Sequence, residues 1–354
     1  MDPELKAIVA RIEKTNRKPE FENLLRILRR EVPSRPTLFE FTLNQKVYEQ
    51  VTQQPQPQDG DGAAWARYLI KAFGKLGYDF AVIGGWHHRA LVFEKETVVQ
   101  KASKSLNQGA VITNEKEFAE YPWPSLQEDR LAFFESIYAE LPDGMKLIAC
   151  GYAGVLETVI ELVGYENLCT MIYLQPELTE AIFAQVGSRI LTLYQRCLEY
   201  DAVGAIIAND DWGFKTQTML PPDDLRRLVF PWYKRVVQAA HERGKPVILH
   251  SCGNLEAVMD DIIDDLQVDG KHSFEDVILP VEEAVAKWGD RIAIIGGIDV
   301  DFIAQRAPET IRERAGRLAH LSLQRGGIAV GSGNSIPEYI PIRNYCALLE
   351  AVLF

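Results

Sequence analysis

The sequence has few of the features that attach a chain to a membrane, to nucleic acid or to itself through disulfides. Its five cysteines are odd in number and none are closely spaced, which argues against a disulfide framework and favours a reducing cytoplasm. No apolar run approaches the roughly 20 residues of a membrane span, and the first residues are charged, unlike a signal peptide. Acidic residues outnumber basic ones by 50 to 38, so an excess of positive charge is also missing. The net charge of −12 makes nucleic acid and anionic lipid poor partners.

A glycine-rich GxGxxG turn after the first strand is missing as well, which weakens a dinucleotide-binding interpretation. The 354 residues instead alternate short apolar runs with longer amphipathic ones. Runs rich in Val, Ile and Ala that are apolar on both faces are typical of buried parallel strands. Eight units at this length favour a closed barrel over an open sheet, so we predict an α/β fold, a (β/α)₈ TIM barrel formed by residues 1–354 as a single domain. The eight runs are 36–42, 78–85, 146–152, 202–210, 245–253, 268–274, 291–299 and 327–335.

Two stretches do not belong to a minimal barrel. Residues 1–33 read as two helices before the first strand, a helical extension at the N-terminus. Residues 86–122 contain short apolar runs separated by turn residues, which we interpret as an inserted, β-rich, lid-like segment beside the barrel mouth. An ordinary long loop is the alternative, although long barrel loops are often functional.

The active site of such a barrel lies at the C-terminal ends of its strands, so polar residues after each apolar run are the candidates. The most specific is His250-Ser251-Cys252, whose outer two residues point to the same side of a strand. An imidazole and a thiolate are good zinc ligands, whereas a hydrogen-bonded histidine beside a small buried cysteine is the alternative. Further metal ligands or catalytic groups from other strand ends are His272, Glu275 and Ser332.

Two more strand ends carry clustered polar residues. Asn209-Asp210-Asp211 directly follows the run AVGAII, where adjacent carboxylates can act as acid or base, orient a substrate or bind a metal. One of the two can equally cap the following segment. Trp86-His87-His88 follows a glycine pair that permits close backbone approach, with a turn holding a packed Trp86 as the alternative. Near the end of the chain, GGID predicts a turn with Asp299 as a helix N-cap.

Three segments together carry a resemblance to a known superfamily. They are AIIANDDWGFKTQTMLPPDDLRRLVFPWYKRVVQAAHERGKPVILHSCGN, GDRIAIIGGIDVDFI and GSGNSIPEYIPIRNYCALLEAV. They resemble the uroporphyrinogen decarboxylase superfamily, most strongly over residues 125–354. The resemblance implies one of two chemistries, metal-free decarboxylation of uroporphyrinogen or methyl transfer involving corrinoids.

The decarboxylase branch has an RQAGRY-like segment after its first strand, which handles the carboxylates of the substrate. The corresponding place in this sequence reads FEFTLNQKVYEQ and lacks those arginines. The Asp210-Asp211 pair would also repel an octa-anionic tetrapyrrole. We therefore reject decarboxylation and expect the methyltransferase branch.

Enzymes of that branch hold zinc through an HxC pair and a later cysteine. His250 and Cys252 match the pair, and Ser332 stands nearest to the place of the later cysteine. The resemblance implies zinc held by His250 and Cys252 with Glu275 or Ser332, and a cobalamin supplied by a separate corrinoid-binding protein. Fewer sulfur ligands suit the polarisation of an ether or amine, which favours a small methylated donor such as an aryl methyl ether, as in O-demethylases.

The resemblance also suggests roles for the remaining strand-end residues. Asp210, Asp211 and His272 would orient the donor or supply a proton. The substrate-binding candidates are Trp86, His87, Tyr152, Asn209, Phe214 and Asn334. Alternatives are a methylcorrinoid:thiol methyltransferase and a barrel that binds a corrinoid or tetrapyrrole without chemistry. A homodimer is possible.

Overall fold

The centre of the fold is a curled, entirely parallel sheet. The computed structural model describes residues 1–95, 106–107 and 110–354. Within them, neighbouring strands of the sheet follow one another in chain order from first to last. The strands are β1 (Phe80–Gly84), β2 (Lys146–Cys150), β3 (Val203–Asn209), β4 (Val247–His250), β5 (Gly270–His272), β6 (Ala293–Ile295) and β7 (Ile328–Ala329). They confirm seven of the eight predicted runs, each in a shorter form.

The first predicted run, 36–42, pairs with the sheet without becoming a strand. The N–H of Phe39 donates to the carbonyl of Val330 at 2.9 Å, and the N–H of Val330 donates to Thr37 at 2.8 Å. On its other side, the ring of Phe39 lies 5.3 Å from that of Phe80 in β1. The run therefore lies between the last and first strands, held by isolated bridges, so an eighth hydrogen-bonded strand is not found in the described residues.

Helices form the connections between the strands. Asp299 caps the helix that follows it, as the sequence predicts. The predicted N-terminal extension contains two helices, as expected. In the described part of the chain, no helix is both long and apolar enough to cross a membrane. The α-helices are α1 (Pro3–Lys14), α2 (Glu22–Leu28), α3 (Gln45–Thr52), α4 (Gly62–Lys75), α5 (Gly85–His88), α6 (Glu115–Glu120), α7 (Phe133–Tyr138), α8 (Val155–Val163), α9 (Tyr165–Leu174), α10 (Pro176–Cys197), α11 (Pro222–Asp224), α12 (Phe230–His241), α13 (Val281–Trp288), α14 (Val300–Gln305), α15 (Pro308–Arg325) and α16 (Ile342–Leu353). Shorter 3₁₀ turns lie at Glu128–Leu131 and Glu256–Val258, and π turns at Leu225–Val229 and Asp261–Asp265.

The predicted β-rich character of residues 86–122 is wrong for the part that the structure describes. That part contains most of α5, all of α6 and turns but no strand, and Asn114 caps α6 at Glu117 instead of ending a strand. The N–H groups of Val111 and Ile112 both donate to the carbonyl of Leu162 in α8 and not to another strand. The whole run TVVQKAS, residues 97–103, lies outside the described residues.

Gly331 shows how closely the 36–42 run approaches the end of β7. A Cβ atom at this position would lie 1.6 Å from the carbonyl oxygen of Phe39, so the backbone would have to move. We expect Gly331→Ala to lower the free energy of unfolding by about 3 kcal/mol. The matched control is Gly316→Ala in α15, where a Cβ meets nothing within 4 Å and a gain of about 1 kcal/mol is expected. Denaturant titration measures both, and a Gly331→Ala protein as stable as wild type would contradict this packing.

Candidate active site

Register places Asn209, His250 and His272 in one row at the C-terminal edge of three neighbouring strands. Asn209 aligns with His250, and His250 aligns with His272. Aligned residues of parallel strands project to the same face, so the two imidazoles meet. Their Nδ1 atoms are 2.7 Å apart, and both rings are buried. Phe41, from the run beside β7, packs its ring 4.5 Å from that of His250 and covers the row.

Asp211, His250 and Cys252 bring three potential metal-ligand atoms together, and we call them the Asp-His-Cys group. Their ligand atoms all lie within 4.8 Å of one another. Cys252 Sγ is 3.8 Å from His250 Nε2, and the backbone N–H of Cys252 donates to Asp211 Oδ1 at 2.8 Å. This last bond joins the loops after β3 and β4. Among the described residues, no further His, Cys, Asp or Glu joins the group.

The thiol of Cys252 is surrounded by hydrogen-bond donors. Asn334 Nδ2 lies 3.3 Å and Ser273 Oγ 3.4 Å from its sulfur atom. Ser273 has a positive φ of 86°, a region that is costly for a residue with a side chain, and this conformation turns the chain at the end of β5. Burial raises the pKa of Cys252 to about 12 and lowers that of His250 to about 4, so without an ion both groups are neutral near pH 7.

Lys271 was not among the sequence candidates, although it is buried beside the group. Its Nζ donates to three backbone carbonyls, those of Ser251 at 2.9 Å, His272 at 2.7 Å and Ser273 at 2.8 Å. It thereby ties together the ends of β4 and β5. Burial lowers its pKa to about 8, and the nearby Cys252 and Asp211 act in the opposite direction. A lysine inside an otherwise buried strand, VDGKHSF, is the sequence signal that could have identified it.

The neighbouring carboxylates of Asp210 and Asp211 point to different tasks. Asp210 is 1% exposed, and its two oxygens accept the backbone N–H groups of Leu156 and Glu157 at 2.8 and 2.9 Å. It therefore caps the N-terminus of α8, where a negative charge is favoured. Burial raises the pKa of Asp210 to about 6, with these hydrogen bonds opposing the rise. The geometry assigns Asp210 the capping alternative and leaves Asp211 at the site.

Ser332 and Glu275, both proposed from the sequence as metal ligands, lie elsewhere. Ser332 is completely buried, and its hydroxyl donates to Glu40 Oε2 at 2.5 Å. Glu275 stays outside the Asp-His-Cys group and lines a neighbouring cavity of about 340 Å³ together with Asn334. Asp211 thus occupies the position beside His250 and Cys252 that the sequence suggested for these two residues.

Trp86 and His87, two of the substrate-binding candidates, lie on α5 after β1. The ring of Trp86 makes an edge contact with Phe41 at 5.9 Å, so it lies near the group through that ring. His87 is buried against Trp65, with ring centroids 4.5 Å apart, and its Nδ1 accepts the N–H of Gly84. His87 therefore stabilises the local turn.

Asn209 lies beside His250 of the Asp-His-Cys group through the strand register, whereas Tyr152 and Phe214 lie at or beside other cavities. Asn209 Oδ1 lies 3.3 Å from the hydroxyl oxygen of Tyr194. Tyr152 lines a separate cavity of about 420 Å³. Phe214 packs against Tyr165, which lines a third cavity of about 730 Å³ beside the loops after β3 and β4. Of the six substrate-binding candidates, Asn334 contacts Cys252, Asn209 aligns with His250, and Trp86 reaches the group through Phe41.

Two solved structures are similar to this chain to different degrees. A methyltransferase from Methanosarcina mazei superposes with a TM-score of 0.69 at 17% identity, covering 93% of this chain and 96% of that one. A putative vitamin-B12 independent methionine synthase from Listeria monocytogenes gives a TM-score of 0.48 at 11% identity, covering 91% and 99%. No curated protein matches the chain. The first likeness supports the fold, a TIM-like arrangement.

The sequence matches a family model over most of the chain. The model of the uroporphyrinogen decarboxylase (URO-D) family matches residues 72–353, from α4 to the last helix. The match therefore includes the strands, the Asp-His-Cys group and the loop that carries Ser332 and Asn334. This chain belongs to the uroporphyrinogen decarboxylase (URO-D) family.

Proposed function

We propose that the chain is a methyltransferase that moves a methyl group from a small methylated donor to the cob(I)alamin of a corrinoid-binding protein, assisted by zinc. The favoured donor is an aryl methyl ether. The observation that carries the proposal is the convergence of Asp211, His250 and Cys252 at the catalytic edge of the sheet. The likeness to a methyltransferase from Methanosarcina mazei adds support by analogy of fold.

The residues present fit a zinc ion. One imidazole nitrogen, one sulfur and one carboxylate oxygen are the three ligand types that zinc prefers, and catalytic sites have three protein ligands and an open position. An ionised Asp211 and a Cys252 thiolate would balance the two positive charges of the ion. Lys271, held nearby in the interior, adds positive charge that favours the thiolate.

When bound, the ion would act as a Lewis acid on the oxygen of the donor, which carries the developing negative charge of the leaving phenolate. A single sulfur ligand makes this set harder than a two-cysteine site, and a harder set suits an ether oxygen better than a thiol. This is the reason to favour an ether donor over a thiol acceptor.

The other residues of the site bind and orient. Phe41 presents its ring beside His250, Trp86 contacts Phe41 edge-on, and we propose that a flat aromatic donor packs against these rings. Asn334 donates to the sulfur of Cys252 and so fixes the direction of that ligand. His272 contacts His250 through Nδ1 and acts on it, not on the donor. The sequence-based role of Asp210 as a proton donor is replaced by its role as a cap.

The test is a panel of methoxyaromatics, methylamines and betaines, each offered with a reduced corrinoid protein. Formation of methylcobalamin is followed by absorbance. We expect turnover with methoxyaromatics and release of the corresponding phenol. Consumption of methylcobalamin by a thiol, with no reaction of any ether, would instead establish the thiol-directed alternative. No turnover in either direction would favour a binding barrel without chemistry.

A further inference from the structure

A buried chain of hydrogen bonds leads from Glu40, beside β7, to the inner nitrogen of His250. We infer that Glu40, Ser332 and His272 are positioning residues that hold His250 as the tautomer with a proton on Nδ1 and a lone pair on Nε2. The lone pair then faces Cys252. The use of that lone pair by a metal rests on the proposed function, whereas the tautomer is a property of the metal-free chain.

The first step is the proton on His272. Its Nε2 lies 3.4 Å from the backbone carbonyl oxygen of Ser332, which also accepts the N–H of Gly297 at 2.9 Å. A carbonyl oxygen only accepts hydrogen bonds, so the nitrogen that faces it must carry the proton. His272 is therefore protonated on Nε2.

The second step transfers this constraint to His250. The two Nδ1 atoms are 2.7 Å apart, a distance that requires one N–H and one lone pair. His272 is completely buried, which disfavours an imidazolium, so with its proton on Nε2 it presents a lone pair at Nδ1. His250 must donate from Nδ1, and its Nε2 is left with a lone pair 3.8 Å from Cys252 Sγ.

The backbone carbonyl of Ser332, which faces Nε2 of His272, is itself held in place from two sides. Glu40, completely buried, accepts the N–H of Ser332 at 2.8 Å and its hydroxyl at 2.5 Å, so one carboxyl group holds the residue at two points. On the other side, Gly296 has a φ of +68° and leaves no room for a side chain. A Cβ there would lie 2.4 Å from the oxygen of Ser332 and 3.1 Å from Nε2 of His272.

This arrangement gives Ser332 a purpose that differs from metal binding. The residue stands nearest to the place where the resemblance implies a third zinc-binding cysteine. Here its hydroxyl binds Glu40, and its carbonyl sets the proton of His272. Ser332 therefore acts on the Asp-His-Cys group through His272 and His250, and Asp211 is the third candidate ligand.

The experiment is a two-bond ¹H–¹⁵N correlation spectrum of the metal-free, full-length protein labelled with ¹⁵N-histidine. Only six histidines are present, so His250→Gln and His272→Gln assign the two signals. We expect His250 as the Nδ1–H tautomer and His272 as the Nε2–H tautomer. The reverse pattern for either ring in the wild-type protein would overturn the inference, even if the Glu40 variants failed to fold.

Variants of Glu40 test whether this residue fixes the tautomer of His250. Glu40→Ala is expected to shift His250 toward a mixture of tautomers and to weaken zinc binding about 10- to 100-fold, while Glu40→Gln, which keeps an acceptor, restores most of both. His241 at the end of α12, paired with Asp269, is the internal reference whose signal stays unchanged. An unchanged His250 tautomer in folded Glu40→Ala would overturn the role of Glu40. Correct tautomers in a protein that binds no zinc would support the inference and contradict the proposed function.

Discussion

Replacing Cys252 with alanine is expected to abolish zinc binding and to lower methyl transfer by at least about 10³-fold. The sulfur is the only thiolate source in the Asp-His-Cys group, and Lewis-acid stabilisation by a bound ion is worth several kcal/mol, at about 1.4 kcal/mol per tenfold in rate. Folding should be little affected, because Cys252 is only partly buried. Zinc content by elemental analysis and single-turnover rates measure the two effects.

Cys169→Ala provides the matched control for this experiment. Cys169 is also a partly buried free cysteine, but it lies on α9, outside the Asp-His-Cys group. We expect the Cys169→Ala protein to keep about one zinc per chain and its full rate. A Cys252→Ala protein that retains both zinc and activity would show that the metal, if present, is held elsewhere.

The second large effect is a contrast between two neighbouring residues. Asp210→Ala should lower the free energy of unfolding by about 2–3 kcal/mol, because two buried backbone N–H groups at the start of α8 lose their acceptor. Asp211→Ala should instead lower stability by only about 1 kcal/mol, since one partly buried N–H, that of Cys252, loses its acceptor, and should greatly weaken zinc binding, because its carboxylate belongs to the Asp-His-Cys group.

Denaturant unfolding measures the stability of the two variants, and zinc titration of the folded proteins measures their affinity for zinc. The two substitutions remove the same chemical group from adjacent positions, so each serves as the control for the other. If Asp210→Ala lost zinc while Asp211→Ala kept it, the assignment of the two carboxylates would be reversed. Equal losses of stability would contradict the capping role of Asp210.

Much of the fold was predictable because buried parallel strands have a simple pattern. Runs of Val, Ile and Ala marked seven strands, and the residues just beyond each run lie at the edge where the candidate site forms. The 36–42 run was harder because it pairs through single bridges and its Glu40 is buried, which no apolar pattern reveals. In 86–122, Val111 and Ile112 bond to the end of α8 and not to another strand, so the strand pattern misleads.

The sequence offered candidates for the site more readily than their contacts. Spacing made His250 and Cys252 candidates, since residues two apart at a strand end share a face, while the zinc interpretation came from the family resemblance. The choice between Asp210 and Asp211 depends on which side chain meets the start of α8, a tertiary contact with no local signal. Likewise, nothing in GSGNS tells that the hydroxyl of Ser332 binds a glutamate 292 positions earlier in the chain.

Zinc K-edge X-ray absorption on the zinc-loaded protein tests the central claim most directly. The Asp-His-Cys group predicts one sulfur ligand at about 2.3 Å and nitrogen or oxygen ligands at about 2.0–2.2 Å, with the sulfur signal lost in Cys252→Ala. Two or more sulfur ligands, or none, would contradict a centre formed by Asp211, His250 and Cys252.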